Sequence, residues 1–151
     1  MGLELIVTSI IGGIVATYVL LAMAAWSHRL GLPRLDFAKA MAGLTYGPTF
    51  EGRDPPYWAG AAVVYMNGVL FALVYSTAVG QYLPGPPILA GTLWGIILYL
   101  ASCLFFVPVY LREGFFLAHV HKSAWITSAM VHGLYGIVVG WLCPIRVTMA
   151  P

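Results

Sequence analysis

Four stretches of the chain, residues 5–26, 58–79, 88–107 and 125–142, hold no Asp, Glu, Lys or Arg. Each approaches the roughly 20 apolar residues that carry a helix across a bilayer core. Backbone in hydrocarbon must satisfy its own N–H and C=O groups, which only helices and closed barrels do. None of the four runs alternates strictly between polar and apolar residues, so they predict helices. Composition agrees: 61% of the 151 residues are hydrophobic and 8% charged, against about 25% charged in a soluble domain. The expected fold is all-α and integral to a membrane. It is a single four-transmembrane-helix bundle over residues 1–151, with no soluble module.

Ten of the twelve charged side chains fall in two loops. The first loop holds Arg29, Arg34, Asp36, Lys39, Glu51, Arg53 and Asp54; the second holds Arg112, Glu113 and Lys122. Glu4 and Arg146 lie elsewhere. Lys and Arg favour the two loops over the opposite side by six to one. The positive-inside rule therefore predicts both loops in the cytoplasm and both termini on the outer, periplasmic side. A net charge of +2 is too small to suggest a nucleic-acid partner. The first segment resembles a signal peptide around Ala22-Met23-Ala24, but it lacks a basic n-region and is expected to be retained. Cys103 and Cys143 are placed near opposite ends of their helices, too far apart to bridge, and are expected to be buried free thiols.

The connections differ in character. Residues 80–87 form a tight uncharged turn rich in Pro and Gly. Residues 36–44 predict a short interfacial helix capped by Asp36, with Phe37, Ala40, Met41 and Leu44 on one face. Residues 45–57 are rich in turn signals, with Gly47-Pro48 and Asp54-Pro55-Pro56 as breakers. Trp58, Trp125, Tyr57, Tyr82 and Trp141 lie where an aromatic belt would meet the interfaces.

Met66-Asn67-Gly68 in segment two parallels Val131-His132-Gly133 in segment four. Both follow an interfacial Trp by a little over two turns. The likeness is consistent with two parallel helix-pair repeats about an axis along the membrane normal. Small residues also form seams: Ser9, Gly13 and Ala16; Gly68, Ala72 and Ser76; Gly91, Gly95 and Ser102; Ala129, Gly133, Gly136 and Gly140. Seams of this kind let helix backbones approach closely. They serve either the bundle itself or docking onto another membrane protein.

Polar groups at membrane depth are costly, so Asn67 and His132 are the first candidate site residues. Each is placed roughly 10–13 Å past its interfacial Trp at about 1.5 Å per residue. With Tyr135 they predict either an Asn–His–Tyr network that fixes helix register or a ligand pocket. In the pocket reading, a quinone head accepts hydrogen bonds from His132 and Asn67. Haem has poor support, because His132 is the one histidine deep in a helix and a second axial ligand would have to be Met23, Met66 or Met130. His28, His119 and His121 gather on the charged side. They are weak metal candidates, since i and i+2 on a helix point apart and no Cys or carboxylate cluster joins them. No Walker loop, HExxH or Ser elbow occurs, which points away from an enzyme. No intramembrane carboxylate supports a pumped-ion path.

Several local patterns line up: Leu30-Gly31-Leu32-Pro33-Arg34-Leu35-Asp36, Asn67-Gly68, Phe71-Ala72-Leu73-Val74-Tyr75, Gly91 with Gly95, and His132-Gly133-Leu134-Tyr135-Gly136. Together they resemble small, uncharacterised four-span bacterial membrane proteins of the YagU-like type, over most of the chain. The resemblance implies the architecture and a bacterial cytoplasmic membrane; it implies no activity and leaves any cofactor unknown. Relatives often carry His where this chain has Asn67, a departure that weakens metal and haem readings. The first functional expectation is a non-catalytic accessory subunit of a larger respiratory or photosynthetic membrane complex. Its partners would be lipid and other membrane subunits, met through Gly13, Gly68, Gly91, Gly95, Gly133, Gly136 and Gly140. The alternative is an intramembrane binding protein or carrier for a quinone or lipid, with its pocket near Asn67 and His132. A haem protein or membrane enzyme ranks last.

Overall fold

In the computed structural model, which describes residues 2–145, every regular element is helical. Arg146, counted above on the uncharged side, lies outside the described residues. The elements are α1 (Leu3–Trp26), α2 (Phe37–Tyr46), α3 (Tyr57–Val74), α4 (Pro87–Ala101) and α5 (Ala124–Leu142). A 3-10 turn Ser27–Leu30 extends α1, and a π-helical turn Tyr75–Val79 extends α3. A longer π-helical stretch, Ser102–Leu111, extends α4. Four continuous helical rods result, Leu3–Leu30, Tyr57–Tyr82, Pro87–Leu111 and Ala124–Leu142, each long and apolar enough to cross a membrane. The four runs without charge lie inside them, short by a few residues at the ends.

Local chemistry explains the boundaries. Gly31 takes the left-handed conformation at φ +73° and its N–H bonds to His28 O at 3.1 Å, which stops the first rod. Pro86 and Pro87 open α4, where a missing N–H costs nothing. Pro108 lies within the third rod. Proline cannot donate to an i−4 carbonyl, and the rod runs there as a wider π-helix. Trp26, Tyr57, Trp58, Tyr82, Trp125 and Trp141 all face outward at rod ends, and the Arg29 guanidinium sits 4.8 Å over the Trp26 ring.

Glycine sets the packing. Gly91 and Gly95 of α4 lie directly on Gly136 and Gly140 of α5. A methyl group on Gly136 would overlap the Gly91 carbonyl, and one on Gly95 would overlap the His132 carbonyl. α1 lies against both α3 and α5, with Gly13 on Val69 and Ala72 and the Ser9 and Ser76 hydroxyls bonded at 2.7 Å. The seams thus meet one another within the chain. Gly133 is the exception, with nothing beside it.

α3 and α4 barely touch. This breaks the expected repeat symmetry. A two-fold relation between the halves would make α3 meet α4 as α1 meets α5, and it does not. The paired glycines differ too, since Gly68 sits against Thr17 while Gly133 is open.

Asp36 caps α2 as predicted, its carboxylate accepting Lys39 N–H at 2.9 Å. The packed face differs from the expected one. Ala38, Met41 and Ala42 are buried, while Leu44 is exposed. The reason is a close crossing in which Ala38 and Ala42 fit against Gly60 of α3, which leaves Leu44 outside while Phe37 stays partly buried. The loop before α2 is stapled to α5, because Pro33 O accepts bonds from Ser27 Oγ at 2.9 Å and Thr127 Oγ1 at 3.0 Å. Leu35, Val107, Leu117 and Ala124 form a small second core there.

Gly136→Val should therefore force α4 and α5 apart and cost about 1–3 kcal/mol by overpacking. Gly133→Ala should be neutral or stabilising, since helical Ala outranks Gly by about 1 kcal/mol. Thermal unfolding in a mild detergent checks both; equal losses from the two substitutions would contradict this packing.

Candidate functional site

Because α3 and α4 do not close on each other, the bundle has an open side. Behind it lies a cavity of about 400 Å³. Its wall on α3 is Val64, Asn67, Gly68 and Phe71; on the third rod it is Leu98, Ala101, Ser102, Phe105 and Phe106. Thr17 and Leu20 of α1 and His132 and Tyr135 of α5 form the back, and Phe37 and Met41 of α2 lie at the charged-loop end. Thr17, Gly68, Leu98 and Tyr135 are buried, which makes them the floor. Phe71 and Phe105 are exposed, which puts the mouth between α3 and the π-helical stretch. Asn67 is exposed at that mouth.

Asn67, His132 and Tyr135 thus line one cavity, but they do not bond to one another. The His132 ring Nδ1 lies 2.8 Å from Ser128 O. A carbonyl oxygen only accepts, so Nδ1 donates. The ring is held by an edge contact with Phe37 at 6.3 Å and a tilted one with Tyr99 at 6.2 Å. The Tyr135 hydroxyl donates to Gly68 O, tying α5 to α3 across the floor. The Thr17 hydroxyl donates to Gly13 O at 2.7 Å. Among the described residues the Asn67 side chain has no hydrogen-bond partner. The Asn–His–Tyr network is therefore not formed: His132 and Tyr135 donate to the backbone carbonyls of Ser128 and Gly68, and Asn67 bonds to neither. His132 lies eight residues into α5, about 12 Å at 1.5 Å per residue, close to mid-depth.

A second, smaller cavity of about 290 Å³ lies toward the charged loops. Arg34, Asp36, Lys39 and Glu113 rim it, and it shares Phe37, Met41, Ser102 and Phe106 with the deep one. α2 thus stands between the deep cavity and the charged side.

The weaker metal candidates are dispersed. His28 bonds Ala25 O at 2.8 Å, His119 bonds Arg112 O at 3.3 Å, and His121 bonds the Ser123 hydroxyl at 2.9 Å. No three His, Cys, Asp or Glu side chains gather among the described residues. Of the methionines weighed as haem ligands, Met66 faces outward at 70% exposure. Cys103 and Cys143 are free and buried.

Sequence reasoning picked out Asn67, His132 and Tyr135. It missed Thr17, Ser102, Phe71, Phe105 and Phe106, whose faces are set by packing. One signal was available: Pro108 inside an apolar run marks a departure from α-helix, and π-helical turns recur at functional sites.

The floor admits a test. A methyl on Gly68 would overlap the Thr17 hydroxyl. Gly68→Ala should lower the melting temperature, and adding Thr17→Ala should recover most of the loss. A coupling of about 1–3 kcal/mol in the double-mutant cycle is expected. Strict additivity would show that the two residues do not share the floor.

Neither the curated proteins nor the solved structures gave a match to this chain. One family model does match, over residues 3–148, and it is described as a family of unknown function, DUF6789. The match is coarser than the YagU-like resemblance and does not extend to it. The chain belongs to the DUF6789 family.

Proposed function

We propose that this protein binds a neutral amphiphile inside the membrane, with its polar head at Asn67 and His132 and its tail leaving between α3 and α4. The observation that carries the reading is the juxtaposition of those two side chains, from different helices, in one cavity open toward lipid. A volume of about 400 Å³ falls within the roughly 300–1,000 Å³ of small-molecule sites. The lining has the same character, mostly aromatic and aliphatic with a few converging polar groups. Intramembrane polar groups mark ligand sites and relays more often than lipid-facing surface.

The accessory-subunit reading relied on glycine faces being free for a partner. Gly13, Gly68, Gly91, Gly95, Gly136 and Gly140 each have protein atoms against them within the chain, which leaves Gly133 alone of the seven open to a partner. Orientation belongs to the proposal as well. The six-to-one excess of Lys and Arg supports charged loops on the cytoplasmic side, and the motifs noted above suggest YagU-like kinship and with it a bacterial membrane.

A benzoquinol with a ten-carbon tail is a suitable probe. It should raise the melting temperature of the purified protein saturably. Ala101 is exposed and lines the cavity, so Ala101→Trp should obstruct the mouth. That variant should keep its unliganded stability within about 0.5 kcal/mol, as surface changes do, yet lose the response to the probe. No stabilisation of the unmodified protein by either the quinol or its quinone, or an undiminished response in Ala101→Trp, would sink the proposal.

A further inference from the structure

The hydrogen bonds already made in the deep cavity bear on the chemistry of its ligand. Five polar side chains line it: Thr17, Asn67, Ser102, His132 and Tyr135. Three of them already donate to backbone carbonyls. Thr17 Oγ1 donates to Gly13 O at 2.7 Å, Tyr135 Oη to Gly68 O, and His132 Nδ1 to Ser128 O at 2.8 Å. A hydroxyl carries one proton, and a neutral imidazole carries one N–H.

The imidazole is the decisive case. Nδ1 lies 2.8 Å from Ser128 O and 3.4 Å from Ser128 Oγ; the shorter contact is to an atom that only accepts, which assigns the proton to Nδ1. No Asp or Glu lines the deep cavity to balance an imidazolium, and an unpaired charge at this depth is expensive. The ring is therefore neutral and its Nε2 is a bare lone pair. Thr17 and Tyr135 likewise retain only oxygen lone pairs. Asn67 and Ser102 are left as the groups able to donate. The cavity holds more acceptors than donors.

Building on the binding reading above, we infer that the ligand head is a hydrogen-bond donor, a hydroxyl on an apolar tail, and that the site selects the quinol over the quinone. A hydroxyl donates to His132 Nε2. A quinone carbonyl in the same place sets lone pair against lone pair and leaves both groups unsatisfied out of water. Sites built around a hydroxyl reject analogues lacking it far more strongly than apolar pockets reject a misfit. This reverses the polarity expected from sequence, in which His132 donates to a quinone oxygen.

The test compares three probes under anaerobic conditions: the ten-carbon-tailed benzoquinol, its benzoquinone, and a fifteen-carbon isoprenoid alcohol. Binding is measured by titration, with Ala101→Trp as the baseline for partition into detergent. The quinol should bind at least about tenfold tighter than the quinone, the difference that one unsatisfied buried hydrogen bond produces. If the alcohol matches the quinol, the hydroxyl alone is recognised and the inference stands; if it binds no better than the quinone, recognition of a hydroxyl on an apolar tail is overturned. His132→Gln supplies an amide able to donate or accept, and should reduce the preference below about threefold. The ratio in the unmodified protein decides the matter even if that variant folds poorly. Equal binding of quinol and quinone, or tighter binding of the quinone, would overturn the inference while leaving an intramembrane site in place. Binding of none of the three above the baseline would remove the site itself.

Discussion

The contact between α4 and α5 determines the rest of this bundle. Lipid tails are as apolar as the helices, so no hydrophobic drive pulls helices together, and close packing must hold them. Gly91, Gly95, Gly136 and Gly140 supply it by bringing two backbones into direct contact. The chain can bring only so many faces together. With α4 committed to α5, and α1 lying against both α3 and α5, the fourth face between α3 and α4 stays unmade. The cavity is the space that this missing contact leaves. Where the second rod turns into the third, the Tyr75 hydroxyl donates to Pro87 O at 3.2 Å, and α2, packed on Gly60, contributes Phe37 and Met41 to the cavity wall.

The four long apolar helices were legible because they depend on composition along the chain, and the absence of charge over about 20 residues has few physical explanations. The Asp36 cap was legible because it is a local rule. Side-by-side arrangement was not. A helix in lipid is apolar on every face, so the periodicity that marks the inner face of a soluble helix is missing. Gly68 and Gly133 show the consequence: they occupy matching places in the sequence, yet one is pressed against Thr17 and the other faces empty space. The internal likeness therefore suggested a symmetry that packing does not keep. The same limit applies to Phe71, Phe105 and Phe106. Nothing in their spacing separates a cavity wall from a lipid-facing surface.

Asn67 and His132 were conspicuous because polarity at membrane depth needs a reason. Their expected mutual bond failed for a physical one. A side-chain donor on a helix has carbonyls within reach on its own preceding turn. Thr17 and His132 use these, at Gly13 and Ser128, while Tyr135 reaches across to Gly68. Bonds of this kind satisfy the donor but not the remaining lone pairs. A wall made from Thr, His and Tyr on helices is thereby biased toward accepting.

The route into the cavity follows from the same geometry. Toward the charged loops, the way is lined by Phe37, Met41 and Phe106, which both cavities share. Charged groups stop at the rim of the outer cavity, at Arg34, Asp36, Lys39 and Glu113. A charged ligand would find partners there but none beside His132. On the lipid side the mouth is flanked by Phe71 and Phe105, which offer no barrier to an apolar tail. A ligand held at this depth without a counter-charge has to be neutral, and a neutral head on an apolar tail reaches it through the bilayer. On the proposed binding reading, the concentration of charge on one face and the polarity at mid-depth serve different ends: the first orients the protein, and the second meets a neutral ligand.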